Sequence, residues 1–119
     1  MRLYAKDSQL VIPSSAAVYG QKNEKSISVH DVLNPVSPYG NHKRICETLS
    51  KFYSNYYKLR ISIIRLFSLY GPGLKKQLLW DACNKIYSGD QIYSGTGLEK
   101  RDWIYIEDAI NLILLAFLP

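Results

Sequence analysis

Ser37-Pro38-Tyr39-Gly40-Asn41-His42-Lys43 opens the stretch on which the fold turns, and Arg60-Ile61-Ser62-Ile63-Ile64-Arg65-Leu66 closes it. Serine followed by proline is a helix start. The hydroxyl caps free backbone N–H groups, and proline at the first helical position has no N–H to leave unpaired. The pattern predicts a helix from there to about Leu59. Within it Ile45, Leu49, Phe52 and Tyr56 recur at helical spacing and make one apolar stripe, the side expected to meet a core. The β-branched run at 60–66 then reads as a strand.

Working outward, the same alternation continues. Upstream, residues 8–13 (Ser-Gln-Leu-Val-Ile-Pro) read as a short buried strand. Residues 14–38 are polar and irregular, with turn signals at Gly20, Asn34-Pro35 and Ser37-Pro38. Downstream comes a loop at 67–73 that contains Gly71-Pro72-Gly73, then a helix from about Lys76 to Tyr87 ended by Gly89. A short strand is expected at Gln91–Tyr93, a turn at Gly95-Thr96-Gly97, a strand over Trp103–Ile106, and a last helix through Phe117 capped by Asp108. Strands alternating with helices imply an α/β fold with a parallel sheet. Ligands of such sheets lie beyond the carboxyl ends of the strands, which is where Ser14-Ser15 and 67–73 fall.

The 119 residues are 47% hydrophobic and 21% charged, which suits one small globular domain and excludes a wholly disordered chain. The longest apolar run, 109–118, is broken by Asn111 and falls short of the ~20 residues a bilayer needs. The first seven residues lack the apolar run of a secretory signal. Cys46 and Cys83 form no metal-ligand cluster and are expected to be reduced, buried thiols of a cytoplasmic protein. Fifteen basic against ten acidic residues give +5, but the basic residues are scattered and match no zinc finger or RNA-recognition motif. Neither nucleic acid nor a membrane is expected as a partner.

Tyr39 and Lys43, four residues apart, share one helix face. That face lies roughly 130° from the centre of the apolar stripe, so core packing does not account for the pair. An ammonium beside a phenol favours the phenolate, and such a phenol can serve as a general base. The alternative is an uncoupled surface pair. A serine hydroxyl at 14 or 15 can bond a reacting oxygen, or merely cap a turn. Arg101, where the 95–97 turn leads into a strand, suits a phosphate, or else an ion pair with Asp102 or Glu99. His30 and His42 have no partners to make a site. None of the seven glycines forms Gly-x-Gly-x-x-Gly, the loop that lets a dinucleotide pyrophosphate approach the backbone.

Taken together, four blocks in order resemble the extended short-chain dehydrogenase/reductase family, on its NAD-dependent nucleotide-sugar epimerase/dehydratase branch. They are Ser14-Ser15-Ala16-Ala17-Val18-Tyr19-Gly20; Ser37-Pro38-Tyr39-Gly40 with Lys43; Arg65-Leu66-Phe67-Ser68-Leu69-Tyr70-Gly71-Pro72-Gly73; and Gly95-Thr96-Gly97 leading to Arg101-Asp102-Trp103-Ile104. The resemblance covers nearly all of the chain from about residue 8. It implies a partial Rossmann-type doubly wound parallel sheet, the C-terminal half of a dinucleotide-binding domain with part of a substrate lobe. Residues 1–119 would then be one partial domain, without the Gly-rich N-terminal part and without the C-terminal end of the substrate lobe.

The resemblance also implies roles. Ser15 would hold the substrate's reacting oxygen. Tyr39 would be the catalytic base, and Lys43 would tune it and grip the nicotinamide ribose. Phe67 would lie beside the nicotinamide. Ser68, where many relatives carry Asn, would touch the substrate, with Gln77, Leu78 and Arg101 near its diphosphate. The implied reaction is NAD-dependent epimerisation or dehydration of a nucleotide-diphosphate sugar through a 4-keto intermediate. The implied assembly is a homodimer through the Tyr-x-x-x-Lys helix, where Tyr53, Tyr56 and Tyr57 are expected to be exposed. The competing reading is a catalytically dead remnant or a binding unit of the same fold. On either reading the isolated chain is expected to bind NAD poorly and to associate, because its first strand lacks a neighbour.

Overall fold

The computed structural model describes residues 8–22, 26–90, 92 and 95–117. Strands β1 (Gln9–Ser15) and β2 (Arg60–Leu66) run parallel, in register from Gln9 opposite Arg60 to Ser15 opposite Leu66. Parallel neighbours need a crossover, and helix α1 (Pro38–Tyr57) provides it. A second parallel pair, β3 (Ser68–Tyr70) with β4 (Trp103–Tyr105), is connected through α2 (Gln77–Ser88) and followed by α3 (Ile106–Leu115). The described residues thus form an α/β fold with two two-stranded parallel sheets.

Helix α1 starts as its sequence dictates. Ser37 Oγ accepts from the Gly40 N–H at 3.1 Å, Pro38 takes the first turn, and Lys58 closes the helix in the left-handed conformation at φ 55°. Its packing face is not the apolar stripe. The buried and half-buried positions are Gly40, Lys43, Glu47, Ser50, Ser54 and Tyr57, a mostly small and polar row at helical spacing. Ile45, Leu49, Phe52 and Tyr56 are 52–68% exposed, and Phe52 and Tyr56 stack with 5.8 Å between ring centres.

The expectation that the stripe meets a core is therefore corrected, and the reason is steric. A 3₁₀ turn at Ala16–Tyr19, continuing β1, approaches α1 so closely that a Cβ on Gly40 would lie 2.6 Å from the Ala17 carbonyl oxygen. Only the small-residue side of α1 can accept that approach. Among the described residues the buried apolar side chains are Val18, Tyr19 and Ala109, each at 3% exposure or less.

Other expectations shift for identifiable reasons. Pairing with β2 continues through Ser14 and Ser15, so both serines belong to the end of β1 rather than to a following loop. Part of the loop expected at 67–73 is β3, paired with β4. Ile106 begins α3 instead of ending a strand, so Tyr105 occupies the cap position and Asp108 lies within the first turn. Cys46 and Cys83 are both exposed, because they lie on the uncovered sides of α1 and α2. Tyr57 belongs to the packed row and is half-buried, whereas Tyr53 and Tyr56 are exposed. The strand expected at Gln91–Tyr93 falls mostly outside the described residues.

Candidate active site

Because β1 and β2 are parallel, their carboxyl ends share one edge of the sheet. Ser15 stands there opposite Leu66, and Phe67, 38% exposed, follows immediately. The Ala16–Tyr19 turn packs on Gly40 and so brings the first turn of α1 to this edge. Lys43 Nζ donates to the Pro13 carbonyl at 2.9 Å, two residues before Ser15. The same ammonium lies 5.8 Å from the centre of the Tyr39 ring. Tyr39 itself is 56% exposed. Ser15 Oγ accepts from the Ala17 N–H at 3.2 Å, the turn-capping role, and its own O–H stays available to donate. Tyr39, Lys43, Ser15 and Phe67 are thus drawn from three elements to one sheet edge.

The remaining site residues fall into two further places. Ser68 begins β3, and its N–H donates to the Asp102 carbonyl at 3.0 Å, which sets Arg101 one residue from the same strand pair. Arg101 is exposed, and among the described residues it makes no ion pair. Glu99 turns to its own loop, accepting from the Thr96 N–H at 2.8 Å and the Thr96 hydroxyl at 3.0 Å. The Thr96 backbone bond first, with the other bonds of the turn, lowers the Glu99 carboxyl to about 2. Gln77 starts α2 at φ 72°, a left-handed conformation that costs a non-glycine residue about 1–3 kcal/mol. Leu78 is 49% exposed, α2 buries no residue, and the structure does not bring this pair against Tyr39 and Lys43.

Three residues not singled out from the sequence lie directly behind the edge. Glu47, 1% exposed, accepts from Ser14 Oγ at 2.6 Å and from Arg65 Nε and Nη2 at 2.9 and 2.8 Å. Arg65 Nη1 continues to the Tyr19 hydroxyl at 2.8 Å and the Val29 carbonyl at 3.1 Å. Burial pushes the Glu47 carboxyl up, but the bonds from Arg65 and Ser14 and the charges of Arg65 and Lys51 outweigh it and hold it low. The bond to Glu47 raises the Arg65 guanidinium further. Two sequence signals mark this network. Glu47 continues the four-residue steps of Tyr39 and Lys43, and Arg65 is a charge inside an otherwise apolar strand end.

Comparison with known proteins bears on the family and the fold. The model of the NAD dependent epimerase/dehydratase family matches residues 1–118. A UDP-glucuronate 4-epimerase of Thermodesulfobacterium geofontis is 33% identical over 93% of this chain, which covers 35% of that protein. The structure of UDP-glucuronic acid 4-epimerase from Bacillus cereus, in complex with UDP-glucuronic acid and NAD, superposes with a TM-score of 0.84 at 28% identity, over 94% of this chain and 37% of that one. The dTDP-glucose 4,6-dehydratase of Bacillus anthracis in complex with NAD gives a TM-score of 0.84 at 26% identity, over 92% and 36%. The chain thus spans little more than a third of the length of these relatives. Its parallel β1–β2 pair, its crossover helix and the match along 118 of its residues lead to one conclusion: the chain belongs to the NAD-dependent epimerase/dehydratase family.

Proposed function

We propose that this chain carries the catalytic edge of an enzyme that epimerises or dehydrates a nucleotide-diphosphate sugar through a 4-keto intermediate. The observation that carries the reading is the Lys43 ammonium, bonded to the Pro13 carbonyl near the carboxyl end of β1 and 5.8 Å from the centre of the Tyr39 ring. In this reading the Tyr39 phenolate takes the proton of the sugar 4-hydroxyl, and the Ser15 O–H donates to the same oxygen. Exposed Arg101 offers a forked donor to the diphosphate, and Ser68, Gln77 and Leu78 complete the sugar-nucleotide side.

The donor set suits the nicotinamide-ribose end of NAD. An ammonium has three donors and Pro13 takes one, so Lys43 keeps two for ribose hydroxyls. The half-exposed Phe67 ring offers an apolar face to the nicotinamide. When bound, NAD supplies the two-electron acceptor for sugar C4. No Gly-x-Gly-x-x-Gly occurs in the sequence, so the pyrophosphate end needs protein from outside these 119 residues. Residues 1–119 then make one partial domain of a cytoplasmic enzyme, and the isolated chain is weakly active or inactive. Among the described residues no helix is long and apolar enough to cross a membrane. The exposed stripe of α1 suits a homodimer in the complete enzyme.

The test is a graft. Residues 8–117 replace the matching segment of the Bacillus cereus UDP-glucuronic acid 4-epimerase, and conversion of UDP-glucuronic acid to its 4-epimer is followed by chromatography. Turnover by the folded graft supports the reading. A folded graft that binds UDP-glucuronic acid and NAD without turnover would favour a catalytically dead remnant.

A further inference from the structure

We infer that Glu47 is a positioning residue: one buried carboxylate ties the strand of Ser15 to the helix of Tyr39 and Lys43 and to the strand that leads to Phe67. The inference rests on the proposed function for what those site residues do, but the bonds themselves do not depend on it. Glu47 is the largest fully buried side chain among the described residues. Charges are rarely buried this deeply unless paired and fully bonded. Its two oxygens meet β1 through Ser14, the residue before Ser15, and β2 through Arg65, two residues before Phe67. Arg65 carries the tie to Tyr19 at the end of the turn that Ser15 caps, by a hydrogen bond and by lying 4.9 Å from the ring centre.

The carboxylate itself sits one turn beyond Lys43 and two beyond Tyr39 on the same face of α1. Every element that contributes to the catalytic edge is therefore bonded to Glu47 directly or through Arg65. A hydrophobic side chain would fill the space without fixing register, because burial is non-directional whereas charge-assisted bonds are not. The groups facing the carboxylate are Ser14 from β1, Arg65 from β2, and Lys51 from its own helix, with Tyr19 behind Arg65. The buried side-chain polar atoms of the described residues all have partners, so the tie is complete as it stands.

The test is an NMR pH titration of the whole 119-residue chain, with neither NAD nor sugar present, so its outcome is separate from that of the graft. The Ala17 amide, which donates to Ser15, and the Tyr39 ring should follow the Glu47 carboxyl through one inflection. That inflection should lie below the ordinary glutamate value of about 4.3. Amides of α3, which share none of these bonds, should not follow it. Glu47→Gln should remove the inflection from both signals. Should that variant fail to fold, Ser14→Ala decides, because it keeps the ion pair. It should shrink the inflection at Ala17, which the path through Arg65 and Tyr19 still reaches, and leave the inflection at Tyr39 at full size. The inference is overturned if Ser14→Ala leaves the size of the Ala17 inflection unchanged, or if Glu47→Gln leaves both signals unchanged. It is also overturned if α3 moves together with them in the native chain, for Glu47 would then act on stability alone.

Discussion

Gly40 sets how closely the turn that follows Ser15 approaches the helix of Tyr39. Its missing Cβ is the space through which the Ala17 carbonyl reaches α1, and Pro35 Cβ closes the other side, 2.9 Å from where a methyl would stand. Gly40→Ala should therefore destabilise the chain by about 1–3 kcal/mol, the cost of forcing backbone apart in a packed contact. Thermal unfolding measures it, and an unchanged midpoint would contradict the close approach. At this scale the sequence is most readable where chemistry repeats at fixed spacing. Tyr39, Lys43 and Ser15 stand out because a phenol and an ammonium four residues apart share a face, and a serine closes a strand. Glu47 is marked only by continuing the four-residue steps of Tyr39 and Lys43, a weak signal because a glutamate in a helix is ordinarily solvated. Its burial depends on Ser14 and Arg65 arriving from distant parts of the chain.

At the scale of elements, α1 is a helix with two useful faces, and the pattern names them in the wrong order. Hydrophobic periodicity locates the helix correctly, but the side that packs is set by how close the neighbouring backbone must come. Small and polar residues win that contest, and the stripe is left outward. Strand β3 is not legible for another reason: three residues are too few for any period, and its partner β4 lies more than thirty residues away. The ion pair between α1 and β2 leads to a prediction in pH. The Glu47 carboxyl is lower in the folded chain than in the unfolded one. Its stabilisation is thus fully present above the unfolded value of about 4.3 and is lost as pH falls through the folded value. Unfolding followed from pH 6 downward should show a loss in the native chain that Glu47→Gln lacks, with Glu47→Gln less stable at neutral pH by about 3–5 kcal/mol. Parallel pH profiles for the two would contradict the pairing.

At the scale of the whole molecule, the surface is too large for a chain of this mass. It exposes 9573 Å², against about 6,600 Å² for a compact monomer of 13.7 kDa. Its radius of gyration is 17.5 Å, against about 13.5 Å for a compact domain of this length. Among the described residues the stripe of α1 faces outward, α2 buries no residue, and β1 pairs on one side only. The isolated chain should therefore associate in sedimentation experiments at micromolar concentration, and Leu49→Lys in the centre of the stripe should shift it toward monomer. A chain that is monomeric already would contradict that use of α1. Calorimetry should find weak NAD binding to the isolated chain, because no glycine loop is present for the pyrophosphate. Tight, stoichiometric binding would contradict the division of the cofactor proposed here.

The central claim is that Tyr39 performs the proton transfer for which Lys43 and Ser15 prepare it. The most direct test is the turnover of UDP-glucuronic acid by the Bacillus cereus graft with Tyr39 intact and with Tyr39→Phe, in matched preparations of equal folding and nucleotide-sugar affinity. The account predicts a fall of about 100-fold or more on loss of the one hydroxyl. Equal turnover by the two would contradict it.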